Sequence, residues 1–395
     1  MAGPTRSAHG AAVVIIGGGV TGLSAGWWLA RGGTDVLVID KGIVGWEASG
    51  RNGGGATHHF SPLFVEEQRL WPQMDELLGY PTEFQPGRIR VALDETQFAL
   101  YGRAVANAAH HGFRAETLDR AALAALVPLV GDNAIGGYLM HFGGHANPQR
   151  TVQAYAWALQ DHGGRVRQHT AVTGFTIAGG RVVGVRTEVG EFGCDRLVIA
   201  AGPQTGHLVA ALGATLPLAV ARAEIGVTEP LPLLRYGGVD GNGLYGRQTL
   251  RGNLVYGGGP HEWLDDDAPQ DMARPGTARP STATPLLRNI AGRLAELFPK
   301  AAHARLLRSW AGIVENTPDG RPVIDRVPGI ANAVVATLSS VGFGLSPASG
   351  RAIAELVLHD RCSFADLTPF RFGRFAGLPA DWREQRGWLP LPAAS

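Results

Sequence analysis

The sequence predicts an α/β chain: a Rossmann-like unit with a parallel sheet, interrupted by an α+β unit built on a mainly antiparallel sheet. Three observations predict it. The unbroken apolar run Val13-Val14-Ile15-Ile16 leads directly into the glycine turn Gly17-Gly18-Gly19-Val20-Thr21-Gly22. Two more continuous apolar runs, Val36-Leu37-Val38-Ile39 and Leu197-Val198-Ile199-Ala200, have the character of strands buried on both faces. Between and after them, residues 81–144 and 216–304 carry strands that alternate or enter through Gly-rich turns, as in a half-exposed antiparallel sheet.

Each element follows in order. Gly17, Gly19 and Gly22 give G-x-G-x-x-G directly after a strand, and Gly26 extends the series by one helical turn. The first glycine permits the turn, the second lets backbone approach a pyrophosphate, and the third and fourth let helix and sheet pack closely. Phosphates would sit on the free N–H groups at the helix start. Val20, Leu23, Trp27 and Leu29 lie in the helical run, which stops at Gly32-Gly33. The second strand ends in Asp40, eighteen residues after Gly22, where a carboxylate can accept both hydroxyl hydrogens of an adenosine ribose. The plain alternative is a strand–turn–helix with no ligand, which leaves the acid and its spacing unexplained. The Gly-rich stretch 45–55 is expected to be an extended loop whose backbone passes something flat or charged.

Composition narrows the partners. A chain of 395 residues can bury two cores, and a net charge of +1 with no basic cluster argues against nucleic acid. Residues 1–10 hold no long apolar core, so neither a signal peptide nor an integral membrane segment is expected. Two cysteines, Cys194 and Cys362, make no disulfide framework and suit a reducing cytoplasm. Among 13 histidines, His141 and His145 have i, i+4 spacing, but Gly143-Gly144 between them argues against a shared helix face, and no metal site is expected.

The start Ile15-Ile16-Gly17-Gly18-Gly19-Val20-Thr21-Gly22, followed after the acidic strand end by Ser49-Gly50-Arg51-Asn52-Gly53-Gly54, resembles the D-amino-acid-oxidase-like family of FAD-dependent oxidoreductases. Further pieces extend the likeness to about residue 358: Gly144-His145-Ala146-Asn147-Pro148, the strand ending Ala200-Ala201-Gly202, Trp310-Ala311-Gly312, Thr317-Pro318-Asp319, and Val341-Gly342-Phe343-Gly344-Leu345. The resemblance implies a resident FAD, contacted by Asp40 and Lys41 at the adenosine end. Ser49, Arg51, Asn52, Gly53 and Gly54 would lie beside the phosphates and ring, and Val172 and Ala200 with Gly202 along the ADP moiety. Gly312, Gly342, Phe343, Gly344 and Leu345 would lie at the flavin. It divides the chain into an FAD-binding unit, residues 1–80, 145–215 and 305–395, and a substrate unit, residues 81–144 and 216–304. A family position that carries a flavin-bonding cysteine is Gly312 here, so attachment through that position is excluded and the FAD is expected to be non-covalent.

The implied activity is removal of hydride from a carbon beside an amine nitrogen, the substrate being a secondary amine, an N-substituted amino acid or a D-amino acid, with hydrolysis of the imine. The carboxylate-binding arginine and the lysine of simple relatives fall at Val314 and Gly344, so either Arg247, Arg88 or Arg51 takes that place or the substrate has no free α-carboxylate there. Tyr245 and Arg247 on the antiparallel sheet, His59 after the flavin loop, and Glu315 are the candidate catalytic residues; each also has a reading as an ordinary polar residue. The missing lysine favours a dehydrogenase or oxidase flavosubunit acting with partner subunits. An NAD(P)H-fed flavin monooxygenase or reductase would need a second nucleotide turn, and Gly257-Gly258-Gly259 opens no helix. A non-catalytic flavoprotein scaffold is the remaining alternative. The acidic, then Pro/Thr/Ala-rich run 265–285 is expected to be a loop, with a helix from about Leu286 to Phe298.

Overall fold

The computed structural model describes residues 10–56, 61–258, 262–264, 284–379 and 381–383. The expected catalytic His59, with His58, lies outside them, as does nearly all of the expected loop 265–285.

The chain opens with β1 (Ala11–Ile16), α1 (Val20–Arg31) and β2 (Val36–Ile39), as the spacing predicts. The 45–55 stretch is not extended throughout: Ala48–Arg51 forms one helical turn, α2. Then come α3 (Phe64–Leu70), α4 (Met74–Leu78), β3 (Gln85–Ala92), α5 (Glu95–His110), β4 (Ala115–Asp119), α6 (Arg120–Leu126) and β5 (Gly136–His145). Gly144 and His145, which the resemblance includes, close this strand. Asn147 caps α7 (Pro148–Asp161), its side chain accepting from the Arg150 N–H, and Pro148 takes the first helical position, where it forfeits no hydrogen bond. Next are β6 (Arg165–Arg167), β7 (Val172–Ala178), β8 (Arg181–Thr187), β9 (Gly190–Ile199), α8 (Thr205–Ala210), β10 (Ala219–Pro230), β11 (Val239–Asp240), β12 (Leu244–Gln248), β13 (Asn253–Gly258) and β14 (Glu262–Leu264). The chain closes with α9 (Thr284–Leu297), β15 (Leu306–Asn316), β16 (Val323–Arg326), β17 (Ala333–Thr337) and α10 (Gly342–His359).

These strands make three sheets. In the first, the order β16-β17-β9-β1-β2-β6 is parallel except for β16, and β8 pairs onto the start of β9 with β7 beyond it. Both faces of β1 are buried: Val13 and Ile15 join a core with α1, α7 and α10, and Val14 and Ile16 join a second core on the opposite side. The second sheet, β12-β13-β10 with β14 and β15 also on β10, is antiparallel throughout. The third, β11-β3-β5-β4, is antiparallel apart from the β11–β3 pair. The boundary drawn at residue 305 cuts across this order, because β15 is paired with β10 from Ala219–Asn316 to Thr228–Leu306. Only after Asn316 does the chain return to the first sheet.

Close approach rather than helix propensity positions α1. Gly17 sits at φ +116°, and a Cβ there would lie 2.2 Å from the Ala200 carbonyl oxygen; one at Gly22 would lie 2.1 Å from the Gly17 carbonyl oxygen. The other side of α1 meets α10 closely, with the Ser24 hydroxyl donating to the Ser346 carbonyl at 2.7 Å and the Trp28 indole to the Pro347 carbonyl at 3.0 Å. Where the two helices meet, a Cβ at Gly350 would lie 2.0 Å from the Ser24 hydroxyl oxygen. Gly22→Ala is expected to lower the unfolding free energy by about 2 kcal/mol or more, read from the urea midpoint, since backbone must shift to admit the methyl group.

Candidate cofactor and active site

A cavity of about 450 Å³ runs along the carboxyl ends of β1, β2 and β9. At one end, the two oxygens of Asp40 accept the N–H groups of Gly18 and Gly42, each at 2.7 Å, which leaves lone pairs for a ribose. Lys41 lines the same end, and burial pulls its pKa down against the opposing pull of Glu47 and Asp40. Val172 and Phe175 of β7 form one wall here, and Ala200 with Gly202 another.

In the middle, Gly19 precedes the first turn of α1 and offers no side-chain cap, and the Val20 N–H donates to the Ser49 hydroxyl at 3.0 Å. A Cβ at Gly19 would stand 3.1 Å from that hydroxyl oxygen. Helix-end N–H groups, a lining hydroxyl and a slot kept open by missing side chains fit a pyrophosphate. FAD suits this cradle: adenosine at Asp40, pyrophosphate at Gly19 and Ser49, and ring toward Phe343, which lines the far end with Gly342.

The flavin loop is fixed by its own side chains. Asn52, which also lines the cavity, donates to the Ala48 and Ser49 carbonyls at 3.1 and 2.9 Å and accepts the Gly54 N–H at 2.8 Å. Arg51 donates to the carbonyls of Trp46 at 2.6 Å and Ala311 at 2.9 Å, and Trp310 returns an indole bond to the Arg51 carbonyl at 2.8 Å. Arg51 thus ties the loop to β15, with Gly312 packed against Ala48 and Arg51. Neither Arg51 nor Gly312 lines the cavity, nor do Gly344 and Leu345, which lie inside the first turn of α10. The Gly344 carbonyl accepts the Trp71 indole at 2.7 Å instead.

Gly53 and Gly54 lie under β12: a Cβ at Gly53 would be 3.2 Å from the Tyr245 ring, and one at Gly54 2.8 Å from Arg247 Nη1. Tyr245, Gly257, Ile225 and Trp310 form one row across the second sheet, so their side chains share a face. Arg247, Val255, Val227 and Arg308 form the next row on that face. Glu315 lies five positions beyond Trp310, an odd number that puts it on the opposite face and about 16 Å farther along the strand. The four expected catalytic residues are therefore not one constellation. Glu315 lines the cofactor cavity near Gly202, accepts the Thr337 hydroxyl at 3.0 Å, and burial raises its pKa.

Ser339 and Ser340, which sequence reasoning missed, stand at φ +47° and +66° just before α10. Ser339 accepts the Thr317 N–H at 3.1 Å, and the Ser340 hydroxyl donates to the Glu315 carbonyl at 3.2 Å. These bonds hold an uncommon backbone conformation where Ser340 and Gly342 line the cavity. Turn chemistry would lead one to look for Gly or Asn there, so no sequence signal marked it. Arg88 is also resolved: it is buried, paired with Asp240, and donates to the Gly144 and Gly246 carbonyls at 3.1 and 3.3 Å. Among the described residues no group of three or more His, Cys, Asp or Glu is placed to hold a metal; His141 instead faces Glu116 at 2.6 Å.

A dinucleotide cradle at the carboxyl ends of a parallel sheet, roofed by an antiparallel sheet, defines a nucleotide-dependent oxidoreductase of the flavin-binding kind. The chain belongs to the DAO family of FAD dependent oxidoreductases, whose profile matches residues 12–356. It is 31% identical over 361 residues to the sarcosine oxidase subunit beta of Rhizobium meliloti, covering 87% of this chain and 84% of that one. The glycine oxidase of Geobacillus kaustophilus is 28% identical over 384 residues, covering 92% and 97% of the two chains. The crystal structure of glycine oxidase from that organism superposes with a TM-score of 0.82 at 25% identity, covering 93% of this chain and 99% of that one. The L-amino acid deaminase of Proteus myxofaciens, at 22% identity and a TM-score of 0.84 over 95% of this chain and 96% of that one, shares the fold.

His145, at the end of β5 behind the flavin loop, is buried with Nδ1 unpartnered. Burial first, then the nearby charges of Arg88 and Arg247, push its pKa down to about 3. The native state therefore keeps it neutral, whereas the unfolded chain takes up a proton below about pH 6.5. Its contribution to stability is complete above that value and is lost as pH falls toward 3, at about 1.4 kcal/mol per pH unit. Urea unfolding between pH 7 and pH 4 is expected to show a shallower loss of stability for His145→Asn than for the unaltered protein.

Proposed function

We propose that the protein oxidises the carbon–nitrogen bond of an amine, of the secondary-amine, N-substituted or D-amino-acid class, giving an imine that water hydrolyses. The observation that carries this is the cofactor cavity leading from Asp40 to the uncapped turn before α10, with Tyr245 and Arg247 over the adjoining Gly53-Gly54 loop. Bound FAD supplies the hydride acceptor. The chain's part is placement. Gly17, Gly19, Gly22 and Ser49 hold the phosphates, Asp40 and Lys41 the adenosine end, and Ala200, Gly202 and Val172 the walls. Asn52 keeps the loop in one shape so that Gly53 and Gly54 lie flat beside the ring, and Arg51 with Gly312 braces it from behind.

Gly342 and Phe343 present the N–H groups of the α10 terminus, whose positive end would favour the negative charge that bound FAD gains on reduction, while Gly344 and Leu345 anchor that turn. Glu315, on the other face of the sheet, serves the cofactor side of the cavity. Tyr245, over Gly53 and on the same face as Arg247, forms one wall of the substrate space. The sarcosine oxidase subunit beta of Rhizobium meliloti and the hydrogen cyanide synthase subunit HcnC of Pseudomonas protegens both carry names of subunits, which supports a role beside partner chains. No described helix is long and apolar enough to cross a membrane. The free Cys194 and Cys362 accord with a cytoplasmic location.

Anaerobic mixing of the FAD-loaded protein with sarcosine, proline, hydroxyproline, D-amino acids and opines is expected to bleach the flavin absorbance with at least one of them and not with NADH. Bleaching by NADH and by none of the amines would contradict the proposal.

A further inference from the structure

Among the described members of the expected catalytic set, Glu315 alone lines the cofactor cavity. Thr337 donates from β17 to its Oε1 at 3.0 Å, and Ser340 donates from the turn before α10 to its carbonyl at 3.2 Å. A Cβ at Gly202 would stand 3.7 Å from its Oε2. A carboxyl group is thus held in a stretch of wall whose neighbouring members, Ile313, Val314, Ala336 and Leu338, are apolar. An acid is costly in such a wall unless a polar partner meets it.

The surrounding charges do not supply that partner. Asp40, Lys41 and Glu47 line other parts of the cavity, and His207 lines it from α8. Arg222 and Glu224 share the face of Glu315 on the second sheet, but Arg222 turns to Glu262 and Glu224. Asp319, four positions on, is paired with Arg374. None of these charges shifts Glu315: burial raises its pKa, against hydrogen bonds from its own backbone, Thr337 and Leu338.

Bound FAD changes what Glu315 meets. The pyrophosphate brings negative charge into the same cavity, and the bulk of the cofactor displaces water; both disfavour an ionised carboxylate there. A protonated carboxyl keeps one O–H donor, which the phosphate and sugar-alcohol oxygens of the cofactor can accept.

We infer that Glu315 retains FAD by donating a hydrogen bond from its carboxyl group to an oxygen of the bound cofactor, and that ionisation of this group loosens the cofactor. This role concerns retention of FAD and holds whichever substrate is oxidised. By linkage, FAD raises the pKa of Glu315 above its value in the cofactor-free protein. Affinity is therefore full below the lower value and falls as pH rises from it towards the higher one.

Cofactor-free protein is titrated with FAD from about pH 5.5 to about pH 8.5, following flavin fluorescence, in the unaltered form, Glu315→Gln and Thr337→Val. The unaltered protein is expected to bind FAD up to about tenfold more weakly for each pH unit above the onset of ionisation. Glu315→Gln keeps an N–H donor and cannot ionise, so it is expected to lose that fall. Thr337→Val removes a donor to the carboxylate and is expected to move the fall to higher pH. Asp40, Lys41, Glu47 and His207 are common to all three proteins, so differences between the profiles belong to Glu315. Affinity in the unaltered protein that is flat or rises with pH, or a fall of equal slope in Glu315→Gln, would each overturn the inference. Far-ultraviolet circular dichroism of each cofactor-free sample shows whether it has folded. If Glu315→Gln has not, Thr337→Val decides, and an unmoved midpoint overturns the inference.

Discussion

The backbone of Gly17 touches the end of β9 so closely that no side chain fits between them. That contact sets where α1 starts relative to the sheet, and so where its free N–H groups point. The same crowding at Gly22 draws the first turn of α1 onto the glycine turn. What remains between the turn, Asp40, Ser49 and Gly202 is a slot with a positive helix end on one side and a hydrogen-bonding carboxylate at its mouth. A diphosphate linked to adenosine meets each of these groups with complementary charge or hydrogen bonds.

The second sheet makes a nucleotide slot into a candidate reaction site. It is held over the loop by Arg51 and Trp310, whose bonds join α2 to β15 in both directions. Because the face of an antiparallel sheet is fixed by register, the pairing decides which side chains can cooperate. Tyr245 and Arg247 share a face above Gly53 and Gly54, while Glu315 leaves the other face near Thr337. The strained Ser339-Ser340 turn leads into α10 and is bonded to Glu315 and Thr317 at the end of β15, so this strand also fixes the α10 end of the cavity.

The first strand, the glycine turn, α1, the second strand and Asp40 were legible because their signals are local: an apolar run, fixed glycine spacing and an acid at the strand end. Short strands such as β4, β11 and β14 were not, since two to five residues gain strand character only from a partner elsewhere in the chain. The roles open to Arg51, Arg88 and Arg247 were indistinguishable in sequence. One is tied up by carbonyls 5 and 260 positions away, one by Asp240, and one donates only to the Gly53 carbonyl among the described residues. The odd offset of Glu315 was likewise invisible without the register of β10 against β15, and the Ser339-Ser340 turn lacked the residues that announce such geometry.

The central claim is that the α1 terminus and the Ser49 hydroxyl hold the pyrophosphate of a resident FAD. A crystal structure of the protein purified with its native cofactor tests it most directly. The claim predicts FAD at one per chain, its pyrophosphate oxygens within hydrogen-bonding distance of the N–H groups at the start of α1 and its ribose hydroxyls on Asp40. A nicotinamide dinucleotide in that slot, or an FAD whose pyrophosphate lies away from Gly19 and Ser49, would contradict it.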